Sequence, residues 1–171
     1  MLLIPARTPF PRAVRIAAAA PIAAASSMQP NTCVSPRLML EHEPPPPAGT
    51  APFYVHQTWK TCELPFAQAR WRDRCKHILP NTTKFFVWTD AHLRELVAEE
   101  FPLHQGVYDS YDAHIKRVDA SRLFVLYRYG GLYMDLDFTC IRPPHRLFVA
   151  GQVTLLPQTK AFVDKEHISN A

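Results

Sequence analysis

Asp135 and Asp137 stand one residue apart at the end of the short apolar run Leu132-Tyr133-Met134. Two carboxylates so spaced can share one hard divalent cation, and such a cation keeps open positions for water and for substrate phosphates. That is how Mn2+ or Mg2+ is held when the true ligand is a diphosphate. Upstream, Arg117, Asp119 and Arg122 lie along an apolar segment that leads into Tyr129-Gly130-Gly131. Asp119 and Arg122 are three residues apart, on one face of a helix, where a carboxylate and a guanidinium can grip sugar hydroxyls together or form only a surface ion pair. The combination points to a nucleotide-linked substrate; the plain alternative is a solvated strand end beside a solvated helix.

The elements that must position these groups follow from pattern. A helix is expected over 113–129, with Ile115, Val118, Leu126 and Tyr129 on one flank, and Gly130-Gly131 permits the left-handed exit of a tight helix-to-strand turn. A strand is expected over 132–138, placing Tyr133, Asp135 and Asp137 on one face and Leu132, Met134, Leu136 and Phe138 on the other. Before them, 53–57 and 84–88 read as strands. Helices are expected from Phe66 to about Leu79, with Pro65 at its first turn, and from Thr89 or Asp90 to Phe101, where Pro102 ends it. A weak strand is expected over 153–156. Strands alternating with helices imply a largely parallel sheet that binds ligands beyond its carboxyl ends. There His56, Gln57, Thr58 and Trp59 close the first strand, Trp59 offering an aromatic face to a nucleobase or else simply packing in the core.

The 171 residues suffice for one domain with a sizeable core. The formal charge of +4 owes half its excess to the first 50 residues, so no basic patch argues for nucleic acid. Of 17 prolines, 11 fall within residues 1–52, ending in the run Pro44 to Pro47, so residues 1–51 are expected to be a leader and a solvated linker, and 52–171 the folded body. A basic lead followed by an alanine-rich stretch from Ile16 to Ala25 fits a secretory signal and an organelle transit peptide equally. The four cysteines lack metal-binding spacing; Cys62 and Cys75 could pair in an oxidising lumen, but buried free thiols are preferred. Asn81-Thr82-Thr83 is an acceptor sequon in an expected surface turn. His92, His104 and His114 are expected at the surface. No G-x-S-x-G, P-loop or G-x-G-x-x-G occurs, which leaves hydrolytic triads and dinucleotide enzymes without a foothold.

Asp135-Leu136-Asp137-Phe138-Thr139 also resembles the nucleophile strand of haloacid-dehalogenase-like phosphatases, but Asp164 and Glu166 downstream do not form the acidic motif those enzymes need. A wider set of motifs resembles glycosyltransferase family 32. It comprises Arg117-Val118-Asp119 with Arg122, Tyr129-Gly130-Gly131-Leu132-Tyr133, Asp135-Leu136-Asp137, the opening Val55-His56-Gln57-Thr58-Trp59-Lys60-Thr61, and Val87-Trp88-Thr89-Asp90, in that family's order. The spacing from Tyr111 through Arg117 to Asp119, and Asp137-Phe138-Thr139-Cys140 before Arg142-Pro143-Pro144, is similar to the mannosyltransferases that act on inositol phosphorylceramide.

The resemblance implies a GT-A-type, Rossmann-like α/β domain, C-terminally truncated relative to the family, and a retaining hexosyltransferase of the Golgi or secretory pathway. GDP-mannose is the favoured donor and a UDP-hexose such as UDP-galactose the alternative; the acceptor is a glycolipid or glycan, with membrane association through it or through parts not visible in this sequence. Asp135 and Asp137 would hold Mn2+ or Mg2+, and Asp119 and Arg122 the donor sugar, with Asp119, Arg122 and Asp137 catalytic. Residues His56 to Trp59, with Arg117 and Tyr133, would border the substrate. A catalytically incomplete donor-binding fragment is the remaining alternative.

Overall fold

The structure, a computed structural model, describes residues 2–4, 33–43, 53–143 and 154–155. The proline run, the alanine-rich stretch and the polar end lie outside them. Within them the order is β1 (Leu2–Ile4), α1 (Pro36–Glu41), β2 (Tyr54–Thr58), α2 (Phe66–Ile78), β3 (Lys84–Trp88), α3 (Asp90–Glu100), a 3-10 turn (Pro102–His104), α4 (Gln105–Ser110), α5 (His114–Tyr129), β4 (Gly131–Tyr133) and β5 (Thr154–Leu155).

The sheet order is β3-β2-β4-β1-β5, with β3, β2 and β4 parallel and β1 pairing antiparallel with β4 and with β5. The expected α/β class with a mostly parallel central sheet is therefore present. The chain leaves β2 toward β3 on one side, then returns through α3 to α5 and enters the sheet as β4 on the other side of β2. Such a reversal opens a crevice at the carboxyl ends of the two diverging strands, here after Thr58 and Tyr133. β1 and α1 both come from the segment read as leader and linker: β1 joins the sheet beside β4, and Arg37 of α1 pairs with Glu95 of α3 at 2.8 Å.

Each sheet face buries one cluster. Val55, Leu132 and Met134 meet Cys75 and Leu79 under α2. Phe86 and Trp88 meet Leu93 and Leu96 of α3 and Val125 and Tyr129 of α5. The alternation along β2 and β3 assigns these sides, as period two requires. Thr89 caps α3 by accepting from the His92 backbone N–H at 3.3 Å, while its own N–H donates to His92 Nδ1 at 3.3 Å. His92 thus takes the place usually held by Glu or Gln in a capping box and is buried, not at the surface as expected. His104 and His114 are exposed, and so is the Asn81-Thr82-Thr83 turn at Asn81 and Thr82.

Two readings are corrected. The cysteines are not free thiols, and Cys62 does not pair with Cys75: Cys33 bonds Cys62, and Cys75 bonds Cys140. Neither partner is near in sequence, at separations of 29 and 65 residues, so spacing could not have shown them. The strand expected over 132–138 ends at Tyr133, and Asp135 to Phe138 form a turn closed by the Phe138 N–H donating to the Asp135 carbonyl at 3.2 Å. The β4 ladder with β2 ends there because the chain bends back toward Cys140, which is fixed to α2 by its disulfide.

The turn from α5 into β4 depends on Gly131. Its φ is +88°, and a Cβ there would lie 2.6 Å from the Tyr54 carbonyl oxygen, a backbone atom of the neighbouring strand that cannot swing aside. Gly131→Ala is expected to cost about 2 kcal/mol or more, the left-handed penalty plus displacement of β2. Gly106→Ala in α4, where a Cβ meets nothing within 4 Å, should be neutral or stabilise by up to about 1 kcal/mol. Denaturant unfolding of the two variants measures the contrast.

Candidate functional site

At the crevice, β2 delivers Thr58 and β4 delivers Tyr133 from adjacent parallel strands, and their hydroxyls meet at 2.8 Å. The Tyr133 ring is fully buried, and its hydroxyl donates to Asp135 Oδ1 at 2.6 Å. Burial, then the neighbouring Asp135 charge, raises the phenol above its usual range, so the proton stays on Tyr133 and the carboxylate stays an acceptor. Arg122, reaching from α5, lies over the Tyr133 ring at 4.8 Å. Its Nη2 contacts Asp119 Oδ1 at 2.8 Å and Asp135 Oδ1 at 3.4 Å. Its side chain is 11% exposed, against 39% for Asp119 and 26% for Asp135. A guanidinium so enclosed between two carboxylates and an aromatic face is held much more firmly than an exposed ion pair.

Asp119, Arg122, Tyr133 and Asp135, singled out in the sequence, thus form one connected group, joined by Thr58. Asp137 sits two residues beyond Asp135 in the turn and is exposed. Both contacts to Asp135 use Oδ1, which leaves Oδ2 outside them. Among the described residues no cluster of three His, Cys, Asp or Glu could hold a metal. Two carboxylates such as Asp135 and Asp137, with phosphate and water as the remaining ligands, form a donor set of the kind that suits a hard divalent cation on a diphosphate.

The other candidates divide by sheet face. His56 is fully buried: its Nδ1 accepts from the Trp88 indole N–H at 3.1 Å, and its Nε2–H donates to the Gly130 carbonyl at 3.1 Å. Its contribution to the site is position, since it ties β2 to β3 and to the glycine turn that launches β4. Nothing in the sequence signalled this. Trp88 and Gly130 become its partners only when the strands align. Gln57 points to the α2 side, is fully buried, and its amide nitrogen and oxygen have no hydrogen-bond partner among the described residues. An amide in that state is open to a polar ligand. Trp59 is half-buried and extends the ladder, its backbone N–H donating to the Trp88 carbonyl at 3.0 Å. Arg117, half-buried one turn and more before Arg122, donates to the Tyr111 carbonyl and does not join the Asp119–Arg122 group.

Residues 65–160 match the family described as a glycosyltransferase sugar-binding region containing a DXD motif. The chain belongs to that family. Among curated relatives, inositol phosphoceramide mannosyltransferase 3 of Schizosaccharomyces pombe is 42% identical over 95 residues, 56% of this chain and 26% of the relative. Mannosyl phosphorylinositol ceramide synthase SUR1 of Saccharomyces cerevisiae is 37% identical over 103 residues, 60% of this chain and 27% of the relative. A human alpha-1,4-N-acetylglucosaminyltransferase is 51% identical over 37 residues, 21% of this chain and 11% of the relative. The chain thus spans about a quarter of the two mannosyltransferase relatives. No solved structure matches it. Family membership leaves the phosphatase reading of Asp135 without support.

His56 gives the chain a pH signature. Burial lowers its pKa from 6.5 to about 3, partly offset by the hydrogen bond to Gly130. The unfolded chain takes up the proton near 6.5 and the folded one does not. Stability is therefore intact above about pH 6.5 and is lost as pH falls from there toward 3, with a slope of about 1.4 kcal/mol per pH unit from this residue. Urea unfolding at pH 7, 6 and 5 should show the decline, and His56→Gln, less stable at pH 7, should flatten it between pH 6.5 and 5.

Proposed function

We propose that this chain carries the donor-binding half of a retaining hexosyltransferase that takes mannose from GDP-mannose and passes it to a hydroxyl of an inositol phosphorylceramide or a glycan. One observation carries the reading: the first carboxylate of the DXD pair is the meeting point of Arg122 and Tyr133, so the pair and the Asp119–Arg122 grip belong to one group at the switch crevice. The mannose and lipid parts rest on what the fungal relatives' names say they transfer and act on.

Asp135 and Asp137 would hold Mn2+ or Mg2+, and the bound cation would stabilise the charge that develops on the departing diphosphate. Arg122, fixed by Asp119 and Asp135, directs its cation toward the same region. Asp119, more open, is placed to accept hydrogen bonds from sugar hydroxyls. The Gln57 amide and the half-buried Trp59 would meet the nucleotide, and Thr58 and Tyr133 would keep Asp135 oriented. In this reading the sugar–phosphate bond breaks as the acceptor hydroxyl attacks from the same face, its proton passing to the leaving phosphate oxygen. Asp119, Arg122 and Asp137 are the catalytic residues; His56 acts through position, and Arg117 borders the acceptor side.

A secretory, Golgi location is proposed with it. Two disulfides among the described residues favour an oxidising lumen. No helix among those residues is long and apolar enough to cross a membrane; membrane association is proposed through the acceptor or through parts outside the described residues.

Calorimetric titration of the folded chain with GDP-mannose, UDP-galactose and GDP, with and without Mn2+, tests the reading. Binding of GDP-mannose should require the metal, exceed that of UDP-galactose at least ten-fold, and vanish on chelation. Asp135→Ala with Asp137→Ala should abolish it. Preference for UDP-galactose would move the donor assignment to the alternative, binding without sugar transfer to an inositol phosphorylceramide would leave a donor-binding remnant, and metal-independent binding in the double variant would refute the site.

A further inference from the structure

α2 carries one acid, Asp73, against Arg70, Arg72, Arg74 and Lys76. These charges are not spread evenly. Asp73 is taken by Lys76 at 2.9 Å, and half-buried Arg72 turns inward, its Nη2 donating to the Phe85 carbonyl at 3.1 Å. The helix packs inward through Cys75. What remains outward is the face Phe66, Ala67, Arg70, Trp71, Arg74, spaced at one and four residues as a single helical surface requires. These five residues line a shallow depression of about 350 Å³.

That face has two unusual properties together. Phe66 is 78% exposed and Trp71 is exposed, large apolar groups that the core could have taken. Arg70 and Arg74 have no carboxylate within ion-pair distance among the described residues; the Arg70 guanidinium rests 5.7 Å from the Phe66 ring. Cys75, next to Arg74, bonds Cys140 beneath this face. Cys140 itself follows the DXD turn by three residues, so the same disulfide fixes this surface relative to the carboxylates.

We infer that the outer face of α2 docks on an anionic lipid surface. Arginine beside exposed Trp and Phe is the chemistry of the interface between headgroups and acyl chains: the guanidiniums meet phosphates while the rings enter the boundary layer. Two aromatic anchors beside two arginines that have no ion-paired acid among the described residues are complementary in charge and polarity to an anionic lipid plane. The inference stands on exposure and charge alone and needs nothing from the donor site, so failure of either leaves the other standing.

Co-sedimentation of the folded chain with phosphatidylcholine vesicles, with and without phosphatidylinositol, tests it. The chain should bind the anionic vesicles, much less the neutral ones, and release as salt rises. One basic residue at such a surface is worth about five-fold in partitioning, so Arg70→Glu with Arg74→Glu should weaken binding by about thirty-fold or more, while circular dichroism and GDP-mannose binding stay unchanged. Phe66→Ser with Trp71→Ser should weaken it at low and high salt alike. Equal binding to both vesicle types, or an unaltered affinity in the charge-reversed variant, would overturn the inference. So would a dimer by light scattering that dissociates on the same charge reversal while vesicle binding is absent, an outcome that assigns the face to a second copy.

Discussion

The arrangement depends on a single carboxylate being held from two layers at once. Asp135 lies past the last paired residue of β4, where a side chain would ordinarily be free to turn in solvent. A buried phenol from its own strand donates to it, and a guanidinium from α5 leans on it while lying across that phenol's ring. Burial keeps the phenol protonated, and enclosure keeps the guanidinium from exchanging its partners for water. Helix and sheet are thereby locked in register at the one point where both bring functional groups. Changing the tilt of α5 would move Asp119 and Arg122 relative to Asp135 and separate the proposed sugar grip from the proposed metal ligand.

That register is set some distance away. Gly130 caps α5 and β4 begins at Gly131, both at positive φ, and Gly131 lets the backbone approach Tyr54 more closely than any Cβ would allow. His56 completes the joint by accepting from Trp88 and donating to Gly130, so three parallel elements are tied through one neutral imidazole. On the other face, the Cys75–Cys140 disulfide draws the chain back to α2 directly after the DXD turn. On a chain-entropy account a loop of this length adds about 4 kcal/mol. Here its place matters as much as its size, because it limits how far Asp137 can stray from Asp135.

What the residues disclosed in advance was local. Periodicity placed α2, α3 and α5 to within a residue or two, β3 at its observed bounds, and the glycine turn where it stands, because each depends on neighbours in sequence. The approach of Asp119 and Arg122 to Asp135 was legible too, since a helix and a strand joined by two glycines have little choice but to lie side by side. What escaped were consequences of distant partners. The alternating pattern from Leu132 to Phe138 looked like a longer strand, yet pairing with β2 stops at Tyr133, although β2 runs on to Thr58, because the chain turns at Asp135 toward Cys140 and its disulfide to α2. His56 and His92 looked available, but one binds an indole and a carbonyl and the other caps its own helix. The disulfide pairing was invisible because cysteine spacing carries no information about which loops meet.

The central claim is that Asp135 and Asp137 share one divalent cation with a nucleotide diphosphate. Anomalous scattering from crystals of the chain grown with Mn2+ and GDP tests it most directly. The account predicts one manganese peak within coordination distance of both carboxylates and of the diphosphate oxygens, with Arg122 still resting on Tyr133. A peak bound elsewhere, or a diphosphate seated away from the turn after β4, would contradict it.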